Sequence, residues 1–357
     1  MINIKATADL LGLGDSLNAL GISIDDPCDA SALVSAIIDE TTALIKETEE
    51  SIALVSAKAG AQNFVATLVA ILGDFAAAAV GELVDTGVIK KKVSIVSALF
   101  DIERVDGRPW EEYLKWFDIF LKLKVPMVLY LSEDVAEFIG DKRKDIPTAI
   151  CVQTVDQIPY YHLNDEIQDI LDSDEYKENI EDPERIECKQ SMYSVIQYSK
   201  FPWLKQAAQD NPHNSDYFFW LDAGGSRFFG LYDLEKEYPS KAAVKSLEGM
   251  GESFLVQMNT EYYKDLSDAT ELSLDYLYDN RSYVLGSMFG GHKNCVPKVC
   301  DMVEDIFINE MINKGNVNNE QIALGYLIKK HSDDFAIYER TNGKHLDIFR
   351  ELGEECE

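Results

Sequence analysis

An alternation beginning at Val93 narrows the folds open to this chain more than any other property. Residues 93–100 (VSIVSALF) and 125–131 (VPMVLYL) are short and almost wholly apolar. A strand without a polar face must be buried on both sides, the condition of a parallel sheet covered by helices. Between them, residues 109–123 set Trp110, Tyr113, Leu114, Phe117, Phe120 and Leu121 at helical spacing. Ser132, Glu133 and Asp134 open another helix reaching Gly140, and residues 148–154 form a third strand. Strand and helix in turn predict an α/β fold whose mixed, mostly parallel sheet is flanked by helices.

Further along, residues 164–187 hold eleven acids and two basic residues, and read as a solvated excursion, helical in part, with the character of a lid. A helix over 190–199 follows, then Phe201-Pro202-Trp203. The aromatic run 217–221 (YFFWL) delivers Asp222 into the turn Ala223-Gly224-Gly225. Residues 283–288 form a strand that ends in Phe289-Gly290-Gly291-His292, and a long helix follows. The polar loop 316–321 then carries Glu320 into a helix over 322–330.

The chain changes character near residue 90. Residues 1–90 contain no Tyr, Trp, Arg or His, whereas all 17 Tyr lie beyond residue 100. This first part is read as an all-helical extension, 1–90, preceding an α/β domain over 91–357. Its apolar stripe predicts homo-oligomerisation through residues 30–85, or association with a partner or membrane. Residues 64–81 have the length of a membrane span, but they are Ala-rich and include Asp74, which favours a buried or self-associating helix over peripheral membrane contact. A net charge of −30 argues against nucleic acid as a partner, because few cations are present to release its counterions. Six scattered cysteines without a CxxC pair suit reduced thiols in the cytoplasm.

Several residues could carry chemistry. Asp222 sits where open α/β sheets place function, at a strand end beside a flexible turn. It either meets a cation or caps the glycine turn. Gly290-Gly291 either admits a ligand to the backbone or makes an ordinary turn. Glu320 is either functional or a favourable charge at a helix start. No P-loop, nucleophile-elbow or HExxH pattern is present.

The segments SALFDIER (97–104), RPWEEYLKWF (108–117), NPHNSDYFFWLDAG (211–224), LGSMFGGHK (285–293) and NNEQIALGYL (318–327) resemble the HtrL/YibB-type family of bacterial proteins over residues 92–350. That family is regarded as glycosyltransferases of the GT-A type, with a Rossmann-related sheet. The resemblance implies transfer of a hexose from a UDP-sugar to a glycan, lipid or protein acceptor, assisted by Mn²⁺ or Mg²⁺. It assigns Ala98, Phe100, Asp101 and Arg104 to the nucleotide, and Arg143 or Lys200 to the diphosphate. Gly290, Gly291 and His292 go to the sugar or acceptor, Asp222 and His345 to the metal, and Glu320 with Asp222 to catalysis. Retaining transferases of the blood-group type are a more distant likeness, with an LDxD strand end. Here Leu221-Asp222-Ala223-Gly224 departs from it, because Gly224 stands in place of the second Asp. A non-catalytic, glycosyltransferase-like module that binds glycans is the other reading.

Overall fold

The computed structural model describes residues 92–104, 108–229, 234, 236, 238–258, 272–338 and 348. The expectations for residues 1–90 and for His345 lie outside these.

A seven-stranded sheet organises the described residues. Its strands are β1 (Val93–Leu99), β2 (Met127–Leu131), β3 (Thr148–Val152), β4 (Tyr217–Leu221), β5 (Phe254–Met258), β6 (Val284–His292) and β7 (Phe335–Tyr338), in the order β3-β2-β1-β4-β6-β5-β7. β1 runs parallel to β2 and β4, β2 to β3, and β5 to β7. Only β6 is antiparallel, to β4 on one side and β5 on the other.

Helices cover both faces. On one lie α1 (Trp110–Phe120), α2 (Glu133–Ile139) and, later in the chain, a helix over Lys241–Gly249. The other carries α3 (Asn164–Asp172), α4 (Asp174–Asn179), α5 (Ser191–Asp210), a helix over Val296–Asp305, and one over Glu320–Lys330. The last three of these elements in chain order are α6 (Lys241–Gly249), α7 (Val296–Asp305) and α8 (Glu320–Lys330).

β4 shows why both layers are needed. Its side chains alternate, with Phe218 and Trp220 entering one core and Tyr217, Phe219 and Leu221 the other. All five are buried. Full burial of each such side chain stabilises the fold by roughly 1.5–3 kcal/mol. Trp203 of α5 stacks on Phe100, Tyr130 and Trp220, which ties the helix to the ends of three neighbouring strands. None of the helices among the described residues is long and apolar enough to cross a membrane.

The fold corrects several sequence-based expectations. α5 does not stop before Pro202 but runs through it to Asp210. Pro202 forfeits one backbone hydrogen bond, and the burial of Phe201, Trp203 and Leu204 around it offsets that loss. The acidic segment 164–187 is not a lid, because Ile167, Leu171, Tyr176 and Ile180 anchor it in the core while most of its charged side chains face water. The loop before α8 is not solvated: Asn316, Asn318 and Asn319 are buried. Asn318 Nδ2 donates to the carbonyls of Leu277 and Asp279, and Asn319 caps α8 by accepting from Gln321 and Ile322 N–H.

Arg143, expected at the diphosphate, is buried at the other end of the sheet's helical connections. Its guanidinium donates to the carbonyls of Leu121, Leu123 and Val125 and to Thr148 Oγ1. Burial pulls its pKa down to about 10. It clamps the α1–β2 connection and does not line the cavity described below.

Candidate active site

A cavity of about 350 Å³ opens at the carboxyl ends of β1 and β4. Ala98, Phe100, Asp101 and Arg104 line it from β1 and the loop beyond, and Asp222 to Gly225 from the end of β4. α5 contributes Tyr193, Ile196, Gln197 and Lys200, spaced to fall on one helical face. Glu320 enters from the first residue of α8, and Arg108 and Arg227 complete the wall.

The floor is an ionic cluster. Lys200 Nζ lies 2.7 Å from Glu320 Oε1 and 3.1 Å from Asp222 Oδ1, and donates to Gly286 O at 3.2 Å. These three acceptors use all three ammonium protons. Trp220 Nε1 donates to the same Asp222 oxygen at 2.8 Å. Asp222 therefore does not cap the glycine turn through its side chain; its backbone carbonyl receives Gly225 N–H instead.

Burial separates the three charges. The side chain of Glu320 is 1% exposed and that of Lys200 7%, whereas Asp222 is 36% exposed. For Lys200, desolvation disfavours the cation, but Asp222 and Glu320 overcome it and hold the ammonium above its ordinary pKa. For Glu320, desolvation outweighs the Lys200 pairing and the carboxyl is pushed up. Glu320 Oε2 is buried and has no hydrogen-bond partner.

Gly286 makes room for this cluster. A Cβ there would run into Glu320 Oε1 and would lie 2.9 Å from Gln321 Cγ, closer than packing allows.

At the mouth, Arg227 lies over the rings of Trp116 and Phe228 at 5.2 and 4.7 Å. Desolvation and repulsion from Arg108 lower its pKa. Neither Arg108 nor Arg227 forms an ion pair among the described residues. Arg104 donates to Tyr113 Oη and sits over Tyr193 at 4.7 Å. Two guanidiniums that act on each other, neither in an ion pair among the described residues, favour an anion alongside the Asp222 carboxylate, and they do so within a protein of net charge −30.

Of the residues expected at the site, Ala98, Phe100, Asp101, Arg104, Lys200, Asp222 and Glu320 converge here. Gly290, Gly291 and His292 do not. Because β6 is antiparallel to β4, its carboxyl end pairs with the start of β4, with His292 opposite Tyr217. The amino end of β6 supplies Leu285, Gly286 and Ser287 to the cavity instead. Gly290 and Gly291 serve close strand packing: a Cβ on either would strike a backbone carbonyl, of Phe218 or Ser253. Gln197, Tyr193, Arg108 and Arg227 were not singled out in the sequence. The signal available for α5 was its Tyr-x₂-Ile-Gln-x₂-Lys spacing.

A divalent metal does not fit the described donor set. Among the described residues no group of three or more His, Cys, Asp or Glu side chains is placed to hold an ion. Lys200 already occupies the position between Asp222 and Glu320 that a cation would take.

Fold and site together define an α/β protein with an anion-favouring cavity at the carboxyl ends of its parallel strands. The chain belongs to the HtrL/YibB family: the family described as "Bacterial protein of unknown function (HtrL_YibB)" matches residues 91–353. A search of curated proteins returns no match. Among solved structures, the apo form of mouse xyloside xylosyltransferase 1 is similar with a TM-score of 0.34 and 8% identity, over 74% of this chain and 93% of that one.

Proposed function

We propose that this chain is a glycosyltransferase of GT-A type, moving a hexose from a nucleoside-diphosphate sugar, with UDP as the expected nucleotide, to a hydroxyl of a glycan, lipid or protein. The observation that carries this reading is the polarity of the cavity. Arg108 and Arg227, without an ion pair among the described residues, stand at its mouth, and a carboxylate–ammonium–carboxylate cluster forms its floor. A sugar nucleotide has the matching polarity, with an anionic diphosphate joined to a neutral polyol. The volume lies within the roughly 300–1,000 Å³ of small-molecule sites.

In this reading Arg108 and Arg227 bind the diphosphate and neutralise it as the bond from the anomeric carbon to the phosphate oxygen breaks. The acceptor oxygen forms the new bond to that carbon, and nucleoside diphosphate leaves. Asp222, the more exposed carboxylate, receives the acceptor proton. Glu320 supplies negative charge beneath the electron-poor anomeric carbon. Lys200 orients both carboxylates.

The test is nucleotide release and calorimetric binding with UDP-, GDP- and CMP-sugars, with and without Mn²⁺, on wild type and Asp222→Asn. Slow hydrolysis of one donor, abolished in Asp222→Asn without a fall in melting temperature, is the expected result. Absence of both binding and release for every donor would reject the transferase and leave the glycan-binding module.

A further inference from the structure

We infer that Gln197 is a specificity-determining residue that binds hydroxyl groups of the donor sugar, with Glu320 Oε2 as a second acceptor in the same cavity. The inference rests on the sugar-nucleotide reading above.

Gln197 lies on α5 three residues before Lys200 and lines the cavity, yet it is only 7% exposed. Its Oε1 is fully buried and has no hydrogen-bond partner. Glu320 Oε2 is in the same condition, and Glu320 also lines the cavity. Buried polar atoms in folded proteins are nearly always bonded; of the four orphaned among the described residues, Ser199 Oγ and Asn316 Oδ1 lie away from the cavity, and the two on cavity-lining residues call for a ligand that their side chains turn to meet. Their chemistry defines which part of it. Acceptors beside a carboxylate repel phosphate and attract O–H donors. Phosphate oxygens at neutral pH have little to donate, whereas a hexose offers several hydroxyls in fixed directions. The Gln197 and Glu320 end therefore takes the sugar, and the Arg108 and Arg227 end takes the diphosphate. Discrimination by a buried polar group is strong, because a sugar lacking the matching hydroxyl leaves that group unpaired.

The experiment is calorimetry of the full chain with UDP, UDP-glucose, UDP-galactose and UDP-N-acetylglucosamine, on wild type, Gln197→Met and Gln197→Ala, with melting curves on the same samples. Gln197→Met is nearly isosteric and removes the orphaned amide. It should weaken the preferred UDP-sugar about tenfold and UDP less than twofold, while the ligand-free protein melts at a higher temperature. A merely structural glutamine would give the opposite stability change and would not separate UDP from UDP-sugar. If Gln197→Met fails to fold, the same ratio is read on Gln197→Ala. An unchanged ratio in a variant that folds would overturn the inference and leave the transferase reading standing. Wild type that binds neither UDP nor any of the UDP-sugars would overturn the inference as stated for UDP-sugars, and failure of the GDP- and CMP-sugars as well would overturn both.

Discussion

Replacing Lys200 with methionine removes the cation that holds two carboxylates together. Three interactions disappear, to Glu320 Oε1, Asp222 Oδ1 and Gly286 O. They are not equal. Asp222 is one-third exposed, so water replaces the ammonium there. Glu320 is buried, and with Oε2 already unpartnered it becomes an uncompensated buried carboxyl. Breaking a buried pair from one side costs about 3–5 kcal/mol, a large share of the ~5–15 kcal/mol that stabilises a typical domain. At roughly 2–4 °C per kcal/mol for a domain of this size, the melting temperature should fall by about 6–20 °C. The loss should depend on pH. Desolvation holds the folded-state pKa of Glu320 above the ordinary 4.5. Its burial is therefore least costly below that value, and stability falls as pH rises through the folded pKa. Lys200→Met raises the folded pKa further, so the deficit against wild type should be smallest near pH 5 and grow towards pH 8. Denaturation of wild type, Lys200→Met, Glu320→Gln and the double variant across that range measures it. Glu320→Gln should restore much of the stability lost in Lys200→Met. A deficit under 1 kcal/mol at neutral pH, or one that is flat with pH, would refute this account of the floor.

Gly286→Ala should displace Glu320 from Lys200, costing about 1–3 kcal/mol by overpacking and abolishing turnover; melting curves and donor hydrolysis read the two effects. Arg143→Met strands three carbonyls, and at about 1–3 kcal/mol for each unsatisfied group it should destabilise by ~3 kcal/mol or more while leaving UDP affinity below the melting temperature unchanged. Arg227→Gln should weaken UDP about tenfold, on the order of one charge-assisted hydrogen bond. In calorimetry EDTA should leave the wild-type affinity intact, and strict dependence on Mn²⁺ would transfer the neutralising role from the arginines to a metal.

The parallel half of the sheet and its helices were legible because burial on two faces leaves apolar runs, and burial on one leaves a helical stripe. Asp222 was legible for the same reason, as a charge directly after such a run. The direction of β6 was not. A run of apolar residues reads alike whichever way the strand lies. Phe289-Gly290-Gly291-His292 therefore reads as a cavity-lining strand end, whereas Leu285-Gly286-Ser287 of the same segment lines the cavity. Pro202 hides the continuity of α5: the expected helix ends at Ser199, so Tyr193 and Gln197 fall inside it and Lys200 outside, and the face they share is not apparent. The asparagines at 316–319 looked like a wet loop because their side chains are polar, but they are the hydrogen-bonding partners that allow the backbone there to be buried.

That asparagine lattice bears on how the site tolerates its own cost. An orphaned glutamine and an orphaned carboxylate oxygen around one cavity both lower stability, and such violations concentrate at functional sites. They persist only where the surroundings fix the geometry independently. Asn318 ties the loop to Leu277 and Asp279, Asn319 caps α8, and Tyr176 Oη donates to Val317 O. These bonds set the backbone of Glu320 without reference to Lys200. On the other side, the stack of Trp203 on Phe100, Tyr130 and Trp220 fixes α5, and with it Gln197 and Lys200. The ion cluster is thus assembled by two frameworks that do not depend on its charges. This is why single substitutions in the floor can be read as changes of charge and hydrogen bonding rather than as collapse of the site.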